Sequence, residues 1–147
     1  NIARGGFEGR ARRAALDLFD RKAVLAEPML ADQSFEAVAT NPPYDQSLAG
    51  RRTPSALKLA AHAMAGGTLH DWLRVAARLL RDGGTFTMIH RADRLGDVLE
   101  AMPARLGGVA VRPVQPQAGA AATRILVAAR AGSRAALGVL PPFVLHE

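Results

Sequence analysis

The sequence predicts an α/β domain with three layers, in which strands and helices alternate and a hairpin closes the chain. The first observation is an apolar, strand-like run at Phe35–Thr40 that ends at two prolines. The second is an amphipathic helix pattern that starts after Thr68. The third is a pair of apolar runs, Val109–Val114 and Thr123–Ala129, separated by a short loop that suits a hairpin.

The N-terminal part predicts one strand and one short helix ahead of Phe35–Thr40. Ala11–Leu18 can form a strand, with polar Asp17 near its end. Phe19–Gln33 is mixed in character and contains Pro28, so we expect a short helix and a loop there. We expect Phe35–Thr40 to be a buried strand, followed by a polar loop at Asp45–Arg52.

The middle of the chain predicts two helices. Thr53-Pro54 resembles an N-cap with proline at the first helical position, and Gly66-Gly67 would end that helix. Thr68 can cap a second helix, and Asp71 in its first turn is favoured by the helix dipole.

The remaining elements follow from turn and cap residues. Asp82–Gly84 predicts a turn, and Thr85–His90 predicts the next strand. Asp93 can cap a third helix, which we expect to end at Gly107-Gly108.

Size and composition limit the class of protein. The chain has 147 residues, the size of one domain, and it has no cysteine, which excludes disulfides and thiolate metal sites. Its four histidines lack metal-ligand spacing, so we expect no metal. No apolar run approaches the roughly 20 residues that span a bilayer, and Asn1–Gly6 lacks a signal-peptide core, so we expect a cytoplasmic protein without a membrane partner.

The charge is basic and is carried mostly by arginine. The net charge is +6, from 17 arginines and two lysines against 13 acidic residues. A basic balance favours a polyanionic partner such as nucleic acid. A GC-rich genome would give the same arginine- and alanine-rich composition, so charge alone leaves both explanations open.

The most informative motif is Asn41-Pro42-Pro43-Tyr44, directly after the predicted strand. Two prolines fix φ and remove two backbone donors, so the strand must stop there. Ligands of open α/β sheets bind outside the carboxyl ends of strands. An amide, exposed carbonyls and an aromatic ring at that place suit a flat ring that bears an amine, such as adenine.

This motif resembles the Asn-Pro-Pro-Tyr/Phe motif of S-adenosylmethionine-dependent amino-methyltransferases. The match is nearest to the tRNA1(Val) adenine-37 N6-methyltransferase family, and it covers almost the whole chain. Three further segments carry the resemblance, namely Leu79–Thr85, Ile89–Asp93 and Phe143–Glu147. The resemblance implies a Rossmann-like class I methyltransferase fold, a three-layer sandwich with strand order 3-2-1-4-5-7-6, and S-adenosylmethionine as cofactor.

The chain departs from the family in its cofactor-binding part. The family binds the cofactor through a glycine-rich loop after the first strand and an acidic residue that ends the second, and the sequence contains neither. We therefore expect residues 1–147 to be a single partial domain, the C-terminal two-thirds, without the N-terminal cofactor-binding strands. We expect this chain alone to bind the cofactor poorly or not at all.

The resemblance assigns roles to individual residues. Asn41, Pro42 and Tyr44 would be catalytic, with the Asn41 side chain and the Pro42 carbonyl accepting from the target amine and Tyr44 stacking on the base. Asp17 and Asn41 would contact the cofactor. Pro43, Tyr44, Arg51 and Arg52 would bind the substrate. The residues with an assigned role are therefore Asp17, Asn41, Pro42, Pro43, Tyr44, Arg51 and Arg52, and no residue is assigned as a metal ligand.

Each assignment has a structural alternative. Asn41 and the two prolines could form a tight strand exit, and Tyr44 could pack the loop. Asp17 could instead cap the segment that starts at Phe19, and Arg51 and Arg52 could be solvated charges rather than phosphate ligands. His90 would be structural or would line the pocket.

The predicted function is methyl transfer to the exocyclic N6 of an adenine, with tRNA or another nucleic acid as partner. One alternative is N-methylation of a protein glutamine or a DNA base. The other is a non-catalytic RNA-binding or interaction module without the cofactor half. The sequence does not indicate an oligomeric state.

Overall fold

The computed structural model describes residues 5–6, 9–42 and 68–146, and these ranges form a mixed sheet with helices packed on it. The strands are β1 (Phe35–Thr40), β2 (Leu80–Arg91), β3 (Leu106–Gln117), β4 (Arg124–Ala131), β5 (Gly138–Val139) and β6 (Phe143–His146). The helices are α1 (Arg21–Ala26), α2 (Leu69–Leu79) and α3 (Leu95–Glu100), with 3-10 turns at Pro28–Leu30 and Ala92–Arg94.

The strand order is β1-β2-β4-β3-β5, and β6 also pairs with β3. β1 and β2 are parallel and are connected through α2, whereas β4 runs antiparallel to both of its neighbours. The order β1-β2-β4-β3 corresponds to the 4-5-7-6 part of the order that the family resemblance implies. The α/β class and this part of the sheet are confirmed.

The core lies between α2, α3 and one face of the sheet. Alternate residues of β2 are buried, because a strand presents every second side chain to the same face. Phe86, Met88, Leu73 and Val98 are fully buried in one cluster that joins the strand to both helices. This packing fixes the position of α2 on the sheet.

The start of α2 is the capping box that Thr68 and Asp71 predict. The Thr68 hydroxyl accepts from the Asp71 N–H at 3.2 Å, and an Asp71 carboxylate oxygen accepts from the Thr68 N–H at 3.0 Å. The backbone hydrogen bond from Thr68 lowers the pKa of Asp71 below its ordinary value. The predicted helix start is confirmed.

The strand expected at Ala11–Leu18 was wrong, because residues 11–17 have no regular secondary structure. Alanine and arginine dominate this segment, and neither favours strands strongly. Within the described ranges the segment also has no strand to pair with. The short helix and loop expected over Phe19–Gln33 are confirmed, as α1 and the following 3-10 turn.

β1 has the predicted bounds, but the expectation that it is buried was wrong. Its residues are half-buried or exposed along its whole length. The reason is its place in the sheet, because among the described residues β1 pairs with β2 on one side and with no strand on the other. The strand is therefore an edge of the described sheet.

The predicted turn at Asp82–Gly84 lies inside β2. The pairing of β1 with β2 moves from Phe35 opposite Leu80 to Ala37 opposite Thr85, so residues 81–84 bulge out of the ladder. Gly83 has a φ of 73°, which glycine adopts without steric cost. The predicted turn was therefore wrong, because Asp82–Gly84 forms a bulge within a strand that begins at Leu80 rather than Thr85.

The third helix is shorter than expected, and its predicted cap and end were both wrong. α3 ends at Glu100, and Gly107-Gly108 lies within β3. A Cβ on Gly107 would approach the Ser133 carbonyl oxygen to 2.0 Å, so glycine is needed for the chain after β4 to pass close to β3. Asp93 does not cap the helix and instead binds the Arg91 guanidinium.

The C-terminal elements agree with the hairpin expectation and add to it. β3 and β4 form the predicted antiparallel pair, and β5 and β6 then pair parallel to β3 at the outer edge of the sheet. Several apolar side chains of this tail remain exposed, among them Val139 and Leu145. The predicted helix at 53–67 and the loop Asp45–Arg52 lie outside the described residues.

Candidate functional site

Asn41 and Pro42 follow the last residue of β1, at the carboxyl end of the parallel β1–β2 pair. Asn41 is exposed, whereas Pro42 is buried. The amide therefore lies at the edge of the sheet where ligands of α/β proteins bind, and the proline packs against the protein. The motif predicts an exposed amide and exposed carbonyls here; Asn41 is exposed but Pro42 is buried, and the roles of both residues stay predictions.

A hydrogen bond joins the end of β1 to α2. The Trp72 indole Nε1 donates to the Thr40 hydroxyl at 2.7 Å. The same indole contacts Phe19 edge-on, with ring centroids 5.9 Å apart. The sequence places Trp72 in the apolar stripe of the helix, but it gives no sign that the indole holds the residue before the motif.

Asp17 lies two residues before Phe19, whose ring contacts the Trp72 indole. One of its carboxylate oxygens accepts from the Phe19 N–H at 2.9 Å, and its carbonyl accepts from the Asp20 N–H at 3.2 Å. The cap of α1 is Asp20, whose carboxylate accepts from the N–H groups of Lys22 and Ala23. Asp17 itself is exposed. The ring contact between Phe19 and Trp72, and the hydrogen bond from Trp72 to Thr40, join the segment of Asp17 to the strand that leads to Asn41.

His90 is buried near the end of β2, the strand beside β1. Burial lowers the pKa of its imidazole, and the hydrogen bond with the Arg91 backbone opposes this effect. The side chain is therefore neutral at pH 7. It lies on the helix-facing side of the sheet with Phe86 and Met88, which agrees with a structural role.

The structure does not reach all of the predicted site. Pro43, Tyr44, Arg51 and Arg52 lie outside the described residues, and their roles stay predictions. Within the described ranges there is no cluster of three or more histidine, aspartate or glutamate side chains that could hold a metal ion. No helix in the same ranges has the length and apolar character needed to cross a membrane.

A groove of about 740 Å³ lies between α1 and α2. Its walls include Arg21, Arg74 and Arg78, and Arg78 forms an ion pair with Asp32. The predicted site residues that the structure describes are Asp17, Asn41 and Pro42, and none of them lines this groove. Phe19 lines the groove and also contacts Trp72, which is hydrogen-bonded to Thr40 before the motif.

No protein-family model matches the sequence, and no curated protein matches it. Among solved structures, the chain is similar to a predicted O-methyltransferase, protein Atu636 from Agrobacterium tumefaciens, with a TM-score of 0.74 and 27% identity. That similarity covers 97% of this chain and 58% of Atu636. A weaker match is TTHA0409 from Thermus thermophilus, named as a candidate DNA modification methylase, with a TM-score of 0.42 and 15% identity over 78% of this chain and 52% of that one.

The chain thus spans less than two thirds of the length of Atu636. The similarity extends over nearly all of the sequence, including the β1–β2 unit that carries Asn41. The described sheet and helices therefore form part of a methyltransferase-like α/β fold.

Proposed function

We propose that this chain is part of an S-adenosylmethionine-dependent N-methyltransferase that methylates the exocyclic N6 of an adenine in tRNA. The observation that carries the proposal is the place of Asn41 and Pro42, one exposed and one buried, at the carboxyl end of β1. The match to Atu636 supports methyl transfer as the reaction class. The adenine and the tRNA rest on the motif.

The chemistry of an aromatic amine explains why an amide and a proline carbonyl suit this position. The nitrogen of such an amine is a weak nucleophile because its lone pair is delocalised into the ring. An acceptor on each N–H would help the nitrogen become pyramidal as it attacks. The Asn41 side-chain oxygen can accept one hydrogen bond, and the Pro42 carbonyl can accept the other.

The same residues favour nitrogen over oxygen as the methyl acceptor. An alcohol is methylated readily only after a base removes its proton, and the Asn41 amide does not titrate. Atu636 is described as a predicted O-methyltransferase, which concerns that protein. For this chain, the Asn-Pro-Pro-Tyr motif supports an amine substrate instead.

S-adenosylmethionine would supply the methyl group. Of the described residues, Asp17 and Asn41 offer exposed oxygens to such a ligand. These two groups would each contact the cofactor but would not enclose it, and the sequence has no glycine-rich loop for the rest. The chain's own part in the reaction is to hold the target amine and exclude other orientations of the base.

The test is methyl transfer from labelled S-adenosylmethionine to tRNA, after the intact mass and the cofactor affinity of the purified protein have been measured. We expect N6-methyladenosine in the digested tRNA. Asn41→Ala should lower the rate at least about 100-fold, as when a hydrogen-bond partner of the transition state is removed.

Gln33→Ala is the matched control, because Gln33 is an exposed amide just before β1, at the opposite end of that strand from Asn41. It should leave the rate unchanged. If parallel assays with protein or DNA show the labelled methyl group on a glutamine or a DNA base instead, the N-methylation chemistry stands and tRNA is not the substrate. A purified protein with a mass of 15.5 kDa that does not bind S-adenosylmethionine would refute the enzyme proposal for this chain alone and leave a fragment or a binding module.

A further inference from the structure

Three arginines lie close together where β2, β3 and β4 meet the same edge of the sheet as Asn41. In the strand register, Arg91 on β2 is directly opposite Arg124 on β4. Arg124 is opposite Val114 on β3, and Arg112 is two residues before Val114. Each arginine is next in sequence to a buried residue of the helix-facing core, so all three lie on the opposite face of the sheet; these neighbours are His90, Val111 and Ile125.

The register fixes how near the positive charges are. Directly opposite residues of an antiparallel pair have Cβ atoms about 5 Å apart, and diagonal neighbours are about 7–8 Å apart. Like charges in such positions repel and destabilise the pair. Three arginines in adjoining positions are therefore unfavourable unless an anion offsets them.

One carboxylate offsets part of this charge. Asp93 binds the Arg91 guanidinium through two hydrogen bonds, one of them 2.9 Å long, and this contact lowers the pKa of Asp93. Arg124 donates to the Thr123 carbonyl at 2.9 Å. Arg112 has no ion pair among the described residues.

The cluster is accessible and close to the motif. The Arg91 side chain is 41% exposed, Arg124 is exposed and Arg112 is half-buried. Thr40 pairs with Met88, so β2 extends three residues beyond that level to Arg91. Arg91 thus begins within roughly 10 Å of the Asn41 backbone, and the other two extend away from it across about two strand spacings.

We infer that Arg91, Arg112 and Arg124 bind the sugar–phosphate backbone of the nucleic acid whose base reaches Asn41. The inference rests on the proposed function, since it names the contact that holds that substrate. The three arginines are spread over three strands, which suits successive phosphates better than one small anion. Arginine is also the side chain that binds phosphate with two parallel hydrogen bonds.

The experiment measures binding, not methyl transfer. A fluorescent single-stranded RNA is titrated with the natural protein and with an Arg112→Gln/Arg124→Gln double variant, by anisotropy at several salt concentrations. Each lost phosphate contact should reduce the slope of log affinity against log salt by about 0.7, so the double variant should lose about 1.4.

Arg130→Gln/Arg134→Gln is the charge-matched control. Arg130 is on the same strand and the same face as Arg124, but near the opposite end of β4, and Arg134 follows that end; both are exposed. The control should keep the natural slope, and thermal unfolding should show that both variants are folded.

An unchanged slope in the double variant, an equal loss in the control, or no RNA binding by the natural protein would each overturn the inference. A protein that binds RNA through the arginines but transfers no methyl group would refute the proposed reaction and leave the inference intact. If the double variant keeps the natural salt slope while the natural protein transfers methyl groups to tRNA, the inference is overturned and the proposed reaction stands.

Discussion

The hydrogen bond from Trp72 to Thr40 should stabilise the protein by an amount that a double-mutant cycle can isolate. Thr40 is the last residue before the motif, and its hydroxyl accepts from the indole at 2.7 Å in a half-buried environment. The cycle consists of Thr40→Val, Trp72→Phe and the double variant. Valine keeps the shape of threonine, and phenylalanine keeps an aromatic ring beside Phe19.

The expected magnitudes follow from the burial of the pair. Thr40→Val leaves the indole N–H without this acceptor, and Trp72→Phe leaves the hydroxyl without this donor. Each change should cost about 1–2 kcal/mol of unfolding free energy. In the double variant neither polar group remains, so the loss should be smaller than the sum by about 1 kcal/mol.

Urea unfolding followed by circular dichroism measures these free energies, and thermal unfolding should shift by about 3 °C per kcal/mol in a domain of this size. Thr87→Val is the control, because Thr87 is a half-buried threonine of β2 with no side-chain hydrogen bond in the described part of the chain. Strictly additive losses, or an equal loss for the control, would refute the view that this bond fixes the end of β1.

Three further changes test the core, the helix start and the buried histidine. Phe86→Ala should cost about 3–5 kcal/mol because Phe86 is fully buried, whereas Phe143→Ala, at a half-exposed position, should cost about 1 kcal/mol or less in the same urea assay. Thr68→Ala should cost about 1 kcal/mol by removing the cap of α2, and Thr68→Ser should restore it, as helix content and unfolding would show. Burial lowers the pKa of His90 below 6.5, so the unfolded state takes up the proton first. Stability present above pH 6.5 should then be lost as the pH falls towards the folded-state pKa, and a His90→Gln variant should lack this pH dependence.

The sequence predicts the elements that local chemistry determines. Two prolines stop β1 where they stand, and Thr68 with Asp71 starts α2, because both signals act within a few residues. The sequence fails at Gly107-Gly108, where the glycines serve a close approach to Ser133 rather than a helix end. That approach depends on a contact between distant parts of the chain, so no local pattern reveals it.

The candidate site divides in the same way. Asn41 is recognisable in the sequence because its neighbours are prolines and an apolar run precedes it. Arg91 and Arg124 are far apart in the sequence, and the β2–β4 register makes them neighbours. A sequence pattern can indicate that arginines end strands, but it cannot say which of them lie opposite each other.

The contacts around Asn41 explain how the end of β1 would hold the substrate group in the function that we propose. Asn41 lies between Thr40, which α2 holds through Trp72, and Pro42, which is buried and has a fixed φ. Its backbone is therefore restrained from both sides while its side chain faces solvent. A misplacement of about 1 Å at a reacting group can cost about 100-fold in rate. The hydrogen bond to Thr40 should for this reason affect methyl transfer more than its small share of the stability implies.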